Sequence, residues 1–182
     1  MIVGGGLAAA RTAEQLRRAD YTGAITIVSD ENHLPYDRPP LSKEVLRAET
    51  DDVTLKPAEF YADNDIAVLL GNGARSVDTV AKSLTLADGT TLGYDELVIA
   101  TGLVPKRIPS FPDLPGIHVL RSLDESRALR SEAREADRAV VVGAQCSAAK
   151  LPTTRRFTSS GQGWWMSPLR RPASTWHTGI LR

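Results

Sequence analysis

The sequence has little sulfur, few aromatics and, over residues 145–182, no acid at all. One cysteine among 182 residues, Cys146, excludes an intramolecular disulfide and fits a reducing compartment. No apolar run approaches the roughly 18 residues that span a bilayer. Met1-Ile2-Val3-Gly4 enters a glycine motif directly, with no basic or apolar leader region before it, so a signal peptide is not expected and a cytoplasmic protein is. His33 and His118 read as structural loop residues without metal-ligand spacing. There is no Ser/His/Asp arrangement and no candidate nucleophile, so neither a metal centre nor covalent catalysis by a side chain is expected.

The missing acid is the most informative absence. All 22 acidic residues lie at or before Asp137, and the net charge of zero conceals a split. Residues 1–144 carry 16 basic and 22 acidic groups, a formal −6, while residues 145–182 carry +6 with no carboxylate. All three tryptophans, two of them adjacent at Trp164 and Trp165, fall in that second segment. Composition is otherwise that of a globular protein, 42% hydrophobic and 24% charged, and the length suits one domain or one and a fraction.

The elements alternate. Residues 1–3 predict a buried strand, residues 7–19 a helix with alanines and arginines on opposite faces, and residues 25–29 a second strand. Residues 30–42 read as a loop, because Pro35, Pro39 and Pro40 cannot lie inside a helix or a central strand. One or two helical turns are expected at 41–46 and a third strand at 66–70. Residues 84–86 and 90–92 flank Asp88-Gly89 and predict a hairpin. A β-branched run at 96–100, a helix at 123–136 and a strand at 138–142 complete the pattern. This order predicts an α/β fold: a Rossmann-like open parallel sheet, incomplete, with a small β-meander insertion.

Gly4-Gly5-Gly6-Leu7-Ala8-Ala9 is a G-x-G-x-x-A fingerprint between a strand and a helix. Gly4 serves the tight turn, Gly6 lets backbone approach a pyrophosphate, and Ala9 permits close helix–strand packing. Phosphates then rest on free N–H groups at the helix start. Asp30 and Glu31, at the end of the second strand, fall where a ribose-binding acid belongs. Together these point to a dinucleotide, without separating FAD from NAD; a Gly-rich structural turn is the plainer alternative.

Leu34-Pro35-Tyr36-Asp37-Arg38-Pro39-Pro40-Leu41-Ser42-Lys43 is more discriminating. With Ile99-Ala100-Thr101-Gly102 and His118-Val119-Leu120-Arg121-Ser122-Leu123-Asp124, it resembles FAD-dependent ferredoxin reductases of the putidaredoxin- and rhodocoxin-reductase type. The resemblance covers residues 1–144. It implies an FAD cofactor, NADH as co-substrate, a 2Fe–2S ferredoxin partner, and neither nucleic acid nor membrane as a partner. By position it implies that Ala8 and Asp30 contact the pyrophosphate and the adenosine ribose, and that Val77 contributes a backbone contact to adenine. Lys43 and Arg121 would lie near the flavin ring. Taken singly, Lys43 and Arg121 read as solvated surface cations, Asp30 as a cap residue and Tyr36 as a loop aromatic.

The resemblance breaks after Gly143. The family continues with a second, NADH-binding glycine fingerprint, whereas this chain reads Gly143-Ala144-Gln145-Cys146-Ser147-Ala148-Ala149-Lys150. Residues 1–144 are therefore expected to form an FAD-binding part running into the first strand of an NADH-binding unit. Residues 145–182 are expected to be an anomalous basic tail, disordered or non-native. A shifted reading frame accounts for it. Trp164-Trp165-Met166 requires TGG-TGG-ATG, and one nucleotide earlier the codons give an apolar residue, Val, Asp, then Val or Glu. That is a strand ending in an acid, as a dinucleotide-binding unit requires. A nucleic-acid tail whose tryptophans stack on bases is an alternative, as is a non-catalytic nucleotide-binding module.

Overall fold

The computed structural model describes residues 1–105, 109, 114–136, 139–142, 157–160 and 165–168. It divides into two units: Met1–Arg38 with Asp52–Val104, and Pro39–Asp51 with Pro105–Arg182.

The first unit is built on short β-branched runs. β1 (Ile2–Val3), β2 (Ile25–Val28), β3 (Ile66–Leu69) and β7 (Val98–Ile99) form a parallel sheet in the order β3-β2-β1-β7. Ile2 is in register with Ile27 on one side and Val98 on the other. Successive strand residues face opposite ways, so β1 serves two cores. Ile2 joins Ala9 and Ala13 of α1 (Leu7–Arg18), Ile25, Ile27, Ile66, and Tyr61 of α2 (Ala58–Asp63). Val3 joins Val28 with Leu84 and Leu86 on the other face. Those leucines come from an antiparallel sheet of β4 (Ala74–Asp78), β5 (Ser83–Leu86) and β6 (Thr91–Gly93). Alanine at 9 and 13 lets α1 lie close on the strands, and full burial of Ile27 contributes about 1.5–3 kcal/mol.

The parallel strands, α1 and the hairpin lie where the sequence puts them, with Gly89 at φ +89° in the hairpin turn. Two elements were not anticipated. α2 has six residues, too few to show a helical period. Every residue of β4 is exposed, so no alternation marks it; pairing with β5 makes it a strand.

In the second unit, Pro39–Ser42 form a 3-10 turn that begins two residues before the expected helical segment. The prolines are tolerated because a first turn leaves its N–H groups unpaired in any case. The turns continue through Val45 N–H to the Pro40 carbonyl and Arg47 N–H to the Lys43 carbonyl. α3 (Leu123–Glu135) starts in a capping box: Ser122 Oγ accepts from Glu125 N–H, and the Glu125 carboxylate accepts from Ser122 N–H. β8 (Ala139–Val142) is the centre of a third sheet, between β9 (Phe157–Ser160, parallel) and β10 (Trp165–Pro168, antiparallel). Both of these strands lie within residues 145–182, the segment read as a basic tail, disordered or non-native. The glycine-poor stretch 143–150, with Cys146, lies outside the described residues. No helix among the described residues is long and apolar enough to cross a membrane.

Candidate functional site

The turn from β1 into α1 is shaped by what its glycines lack. Gly4 has φ +123°, and a Cβ there would stand 2.1 Å from the Ala100 carbonyl oxygen, so β7 can approach only glycine at this position. Gly4 N–H donates to the Val28 carbonyl at 2.8 Å, which fixes the turn at the ends of three strands. A Cβ at Gly5 would meet Ser29 Oγ at 2.1 Å. Gly6 differs: φ is −97°, and a Cβ would meet nothing within 4 Å. Its missing side chain leaves open space before the helix.

That space borders an unfinished helix end. Gly6 is the N-cap of α1; no side chain caps the helix and no acid lies in its first turn. The first N–H groups of a helix have no intrahelical acceptor. At the other end the helix's own carbonyls find partners: Ala19 N–H donates to Gln15, Tyr21 N–H to Leu16 and Asp20 N–H to Arg17, at 3.0–3.1 Å. The positive end of the helix dipole thus faces no acid of its own first turn, and Leu7 and Ala8 are exposed there.

Asp30 follows β2 and is exposed, and its carboxylate has no hydrogen-bond partner among the described residues. Glu31, the neighbouring acid, is committed. It accepts from the Tyr36 hydroxyl and from Arg38 Nη2 at 2.9 Å, and Arg38 also stacks 5.5 Å from the Tyr36 ring. Tyr36 is buried, with the His33 ring edge-on to it, so it organises its own loop. Of the two acids, Asp30 is the one available to ribose hydroxyls.

Val77 lies on β4, exposed, with its backbone paired to Leu84. β4 is an edge strand, so alternate backbone groups point away from β5. Lys43 and Arg121 belong to the second unit. Lys43 is half-buried in the turns after Pro40, with no partner for its ammonium among the described residues. Arg121 is half-buried, and its N–H donates to Glu125 at the start of α3. Ser126 and Arg130, which sequence reasoning passed over, tie that helix to the Lys43 segment. Buried Ser126 Oγ donates to the Leu41 carbonyl at 2.7 Å; Arg130 Nη1 donates to the Val45 carbonyl at 3.0 Å and pairs with Asp51 at 2.7 Å. Their signal was a polar i, i+4 pair beside the buried positions Leu123, Leu129 and Ala133. No group of three or more His, Cys, Asp or Glu among the described residues could hold a metal ion.

Residues 1–153 match the family described as pyridine nucleotide-disulphide oxidoreductase. The chain is similar to the ferredoxin–NAD(+) reductase component of the p-cumate 2,3-dioxygenase system of Pseudomonas putida. The two are 40% identical over 145 residues, 79% of this chain and 36% of the relative. It is 34% identical over 190 residues to the ferredoxin–NAD(+) reductase subunit of the benzene 1,2-dioxygenase system of Pseudomonas putida, over 99% of this chain and 46% of the relative. Among solved structures, the ferredoxin reductase for the CYP199A2 system from Rhodopseudomonas palustris superposes with TM-score 0.74. It shares 38% identity, over 80% of this chain and 37% of that one. The chain thus spans between a third and a half of these relatives, and the resemblance to ferredoxin reductases carried by residues 34–43 is borne out.

Proposed function

This chain belongs to the pyridine nucleotide-disulphide oxidoreductase family, and we propose from that premise that it carries the FAD-binding part of an NADH-dependent ferredoxin reductase. The carrying observation is the uncapped, acid-free start of α1 opening onto the space at Gly6, with an Asp30 carboxylate after the adjacent strand that has no partner among the described residues. FAD, when bound, supplies the chemistry of the reaction, taking a hydride from NADH and passing single electrons to a 2Fe–2S ferredoxin.

The chain's own residues bind and orient. Gly4 and Gly6 shape the turn, and the amides at Leu7 and Ala8 receive the diphosphate. Asp30 accepts hydrogen bonds from the adenosine ribose hydroxyls. The β4 backbone at Val77 meets adenine. Lys43 and Arg121 supply positive charge that offsets the negative charge of a reduced flavin ring. The partner is a 2Fe–2S ferredoxin, a reading supported by the relatives being named ferredoxin reductases, and the setting is the cytoplasm.

Within this reading, residues 1–144 are the flavin-binding part and its continuation into β8, and residues 145–182 are a frame-shifted stretch. Its support is the lack of acid after Asp137 and of a second glycine fingerprint at 143–150. The gene sequence tests it: a single-base change between codons 143 and 146 should restore an open reductase frame. An intact frame without such a change would contradict it. The same residues support a narrower second reading, a nucleotide-binding module without reductase turnover.

Titration of the 182-residue protein with FAD, followed by flavin fluorescence and absorbance, tests the cofactor reading. The expected result is weak binding that ADP competes away, with no NADH-dependent reduction of ferricyanide. Absence of ADP-sensitive binding would overturn the flavin site. A stoichiometrically yellow protein with NADH turnover would overturn the claim of incompleteness.

A further inference from the structure

The loop from β3 to β4 lies across the residues that follow β2, and two of its glycines are glycine for different reasons. Gly71 has φ +71°, a turn conformation that favours glycine. Gly73 has no such backbone requirement. A Cβ there would stand 2.7 Å from Asp30 Cβ and 3.3 Å from Asp30 Cα, so its restriction is spatial.

The loop is held from several sides. Ser29 N–H donates to the Leu69 carbonyl at 2.8 Å, Asn72 N–H to the Ser29 carbonyl at 3.1 Å, and Gly71 N–H to the Glu31 carbonyl at 3.1 Å. On its far side, Ala87 N–H donates to the Gly73 carbonyl at 2.9 Å and Asp88 N–H to Asn72 Oδ1 at 3.2 Å. A methyl group at 73 therefore cannot be absorbed by lifting the loop without breaking these bonds. Asp30, exposed and without a side-chain partner among the described residues, is the group that yields.

We infer that Gly73 is a positioning residue: by leaving room against Asp30 it sets the carboxylate where it can accept both hydroxyls of an adenosine ribose. This rests on the adenosine-binding reading above and adds a residue that no glycine fingerprint contains. A carboxylate accepting two hydroxyls needs both oxygens aligned, and an ångström-scale shift forfeits that geometry while leaving the diphosphate contacts at α1 in place.

The probes are ADP and 2′,3′-dideoxyadenosine 5′-diphosphate, titrated into the 182-residue protein and its variants. Wild type should prefer ADP by about tenfold, the scale of a hydroxyl bonded to a charged acceptor. Asp30→Ala should erase the preference. Gly73→Ala should bring it to within about twofold of unity while leaving dideoxy-nucleotide binding unchanged, and should add nothing in the Asp30→Ala background. A purely structural effect of the methyl group would weaken both nucleotides alike. Where Gly73→Ala does not fold, Asn72→Ala loosens the same loop by removing the acceptor of Asp88 N–H, and the same ratio should fall. If wild type binds neither nucleotide, the adenosine site itself is wrong. If wild type prefers ADP, Asp30→Ala erases this, and the loop variants keep the full preference, the inference about Gly73 alone is overturned.

Discussion

At Gly4 a Cβ would overlap the Ala100 carbonyl oxygen, whereas at Gly6 it would enter open space. One methyl group therefore has opposite consequences two residues apart. Gly4→Ala adds left-handed strain to a backbone clash and should cost about 2–5 kcal/mol of stability, read from urea unfolding. Gly6→Ala should melt within a degree or two of wild type, yet weaken ADP binding, because its methyl group fills the space before the α1 amides. Equal stability losses in both variants would mean that Gly6 is only a turn residue. Both glycines were legible in the sequence, since the fingerprint names them. Spacing alone left Asp30 and Glu31 open, and the family resemblance pointed to Asp30; what the sequence did not show is that Tyr36 and Arg38 capture Glu31 from within the next loop.

At the scale of elements, α1 is asymmetric in how its ends are satisfied. The N–H groups of Ala19, Tyr21 and Asp20 take the carbonyls of Gln15, Leu16 and Arg17 at one end, and the other end has neither a side-chain cap nor an acid. Alanines at 9 and 13 and the apolar strands made this helix and the parallel sheet readable from periodicity alone. β4 was not readable, since its residues are all exposed and only the neighbouring strand makes them a strand. The segment Pro39–Asp51 was read as loop and turns, but what holds it could not be seen: a buried serine on a helix more than 80 residues away. Ser126→Ala removes that donor from the Leu41 carbonyl and should cost about 1–2 kcal/mol. Hydrogen exchange at the amides of Val45 and Arg47 should accelerate, while exchange in β2 stays unchanged. Unaltered protection of Val45 and Arg47 would show that the turns stand without α3.

For the whole molecule, pH dependence follows from carboxylates held low. The hydrogen bond from Arg11, then that from Lys56, keeps the Glu14 carboxyl below its usual range, and Arg18 adds to this. Backbone N–H groups of Thr54 and Thr90 do the same for Asp52 and Asp88. A carboxyl whose folded pKa lies below its unfolded value stabilises the fold above the unfolded value, about 4.3 for Glu, and loses this as pH falls through the folded value. The melting temperature should therefore decline on acidification below about pH 4.5. Glu14→Gln should melt lower at neutral pH and show a shallower decline in acid. Parallel pH curves for the two proteins would remove Glu14 from the account.

In the proposed function the start of α1 and the end of β2 together receive the diphosphate and ribose of an adenine dinucleotide. Amide chemical-shift mapping of the isotopically labelled 182-residue protein during titration with ADP tests it residue by residue. The largest shifts should fall at Gly5, Gly6, Leu7, Ala8 and Asp30, with little change at Arg17 to Gly23 around the opposite end of α1. Shifts confined to that opposite end, or no shift at Gly6 and Ala8 at millimolar ADP, would contradict it.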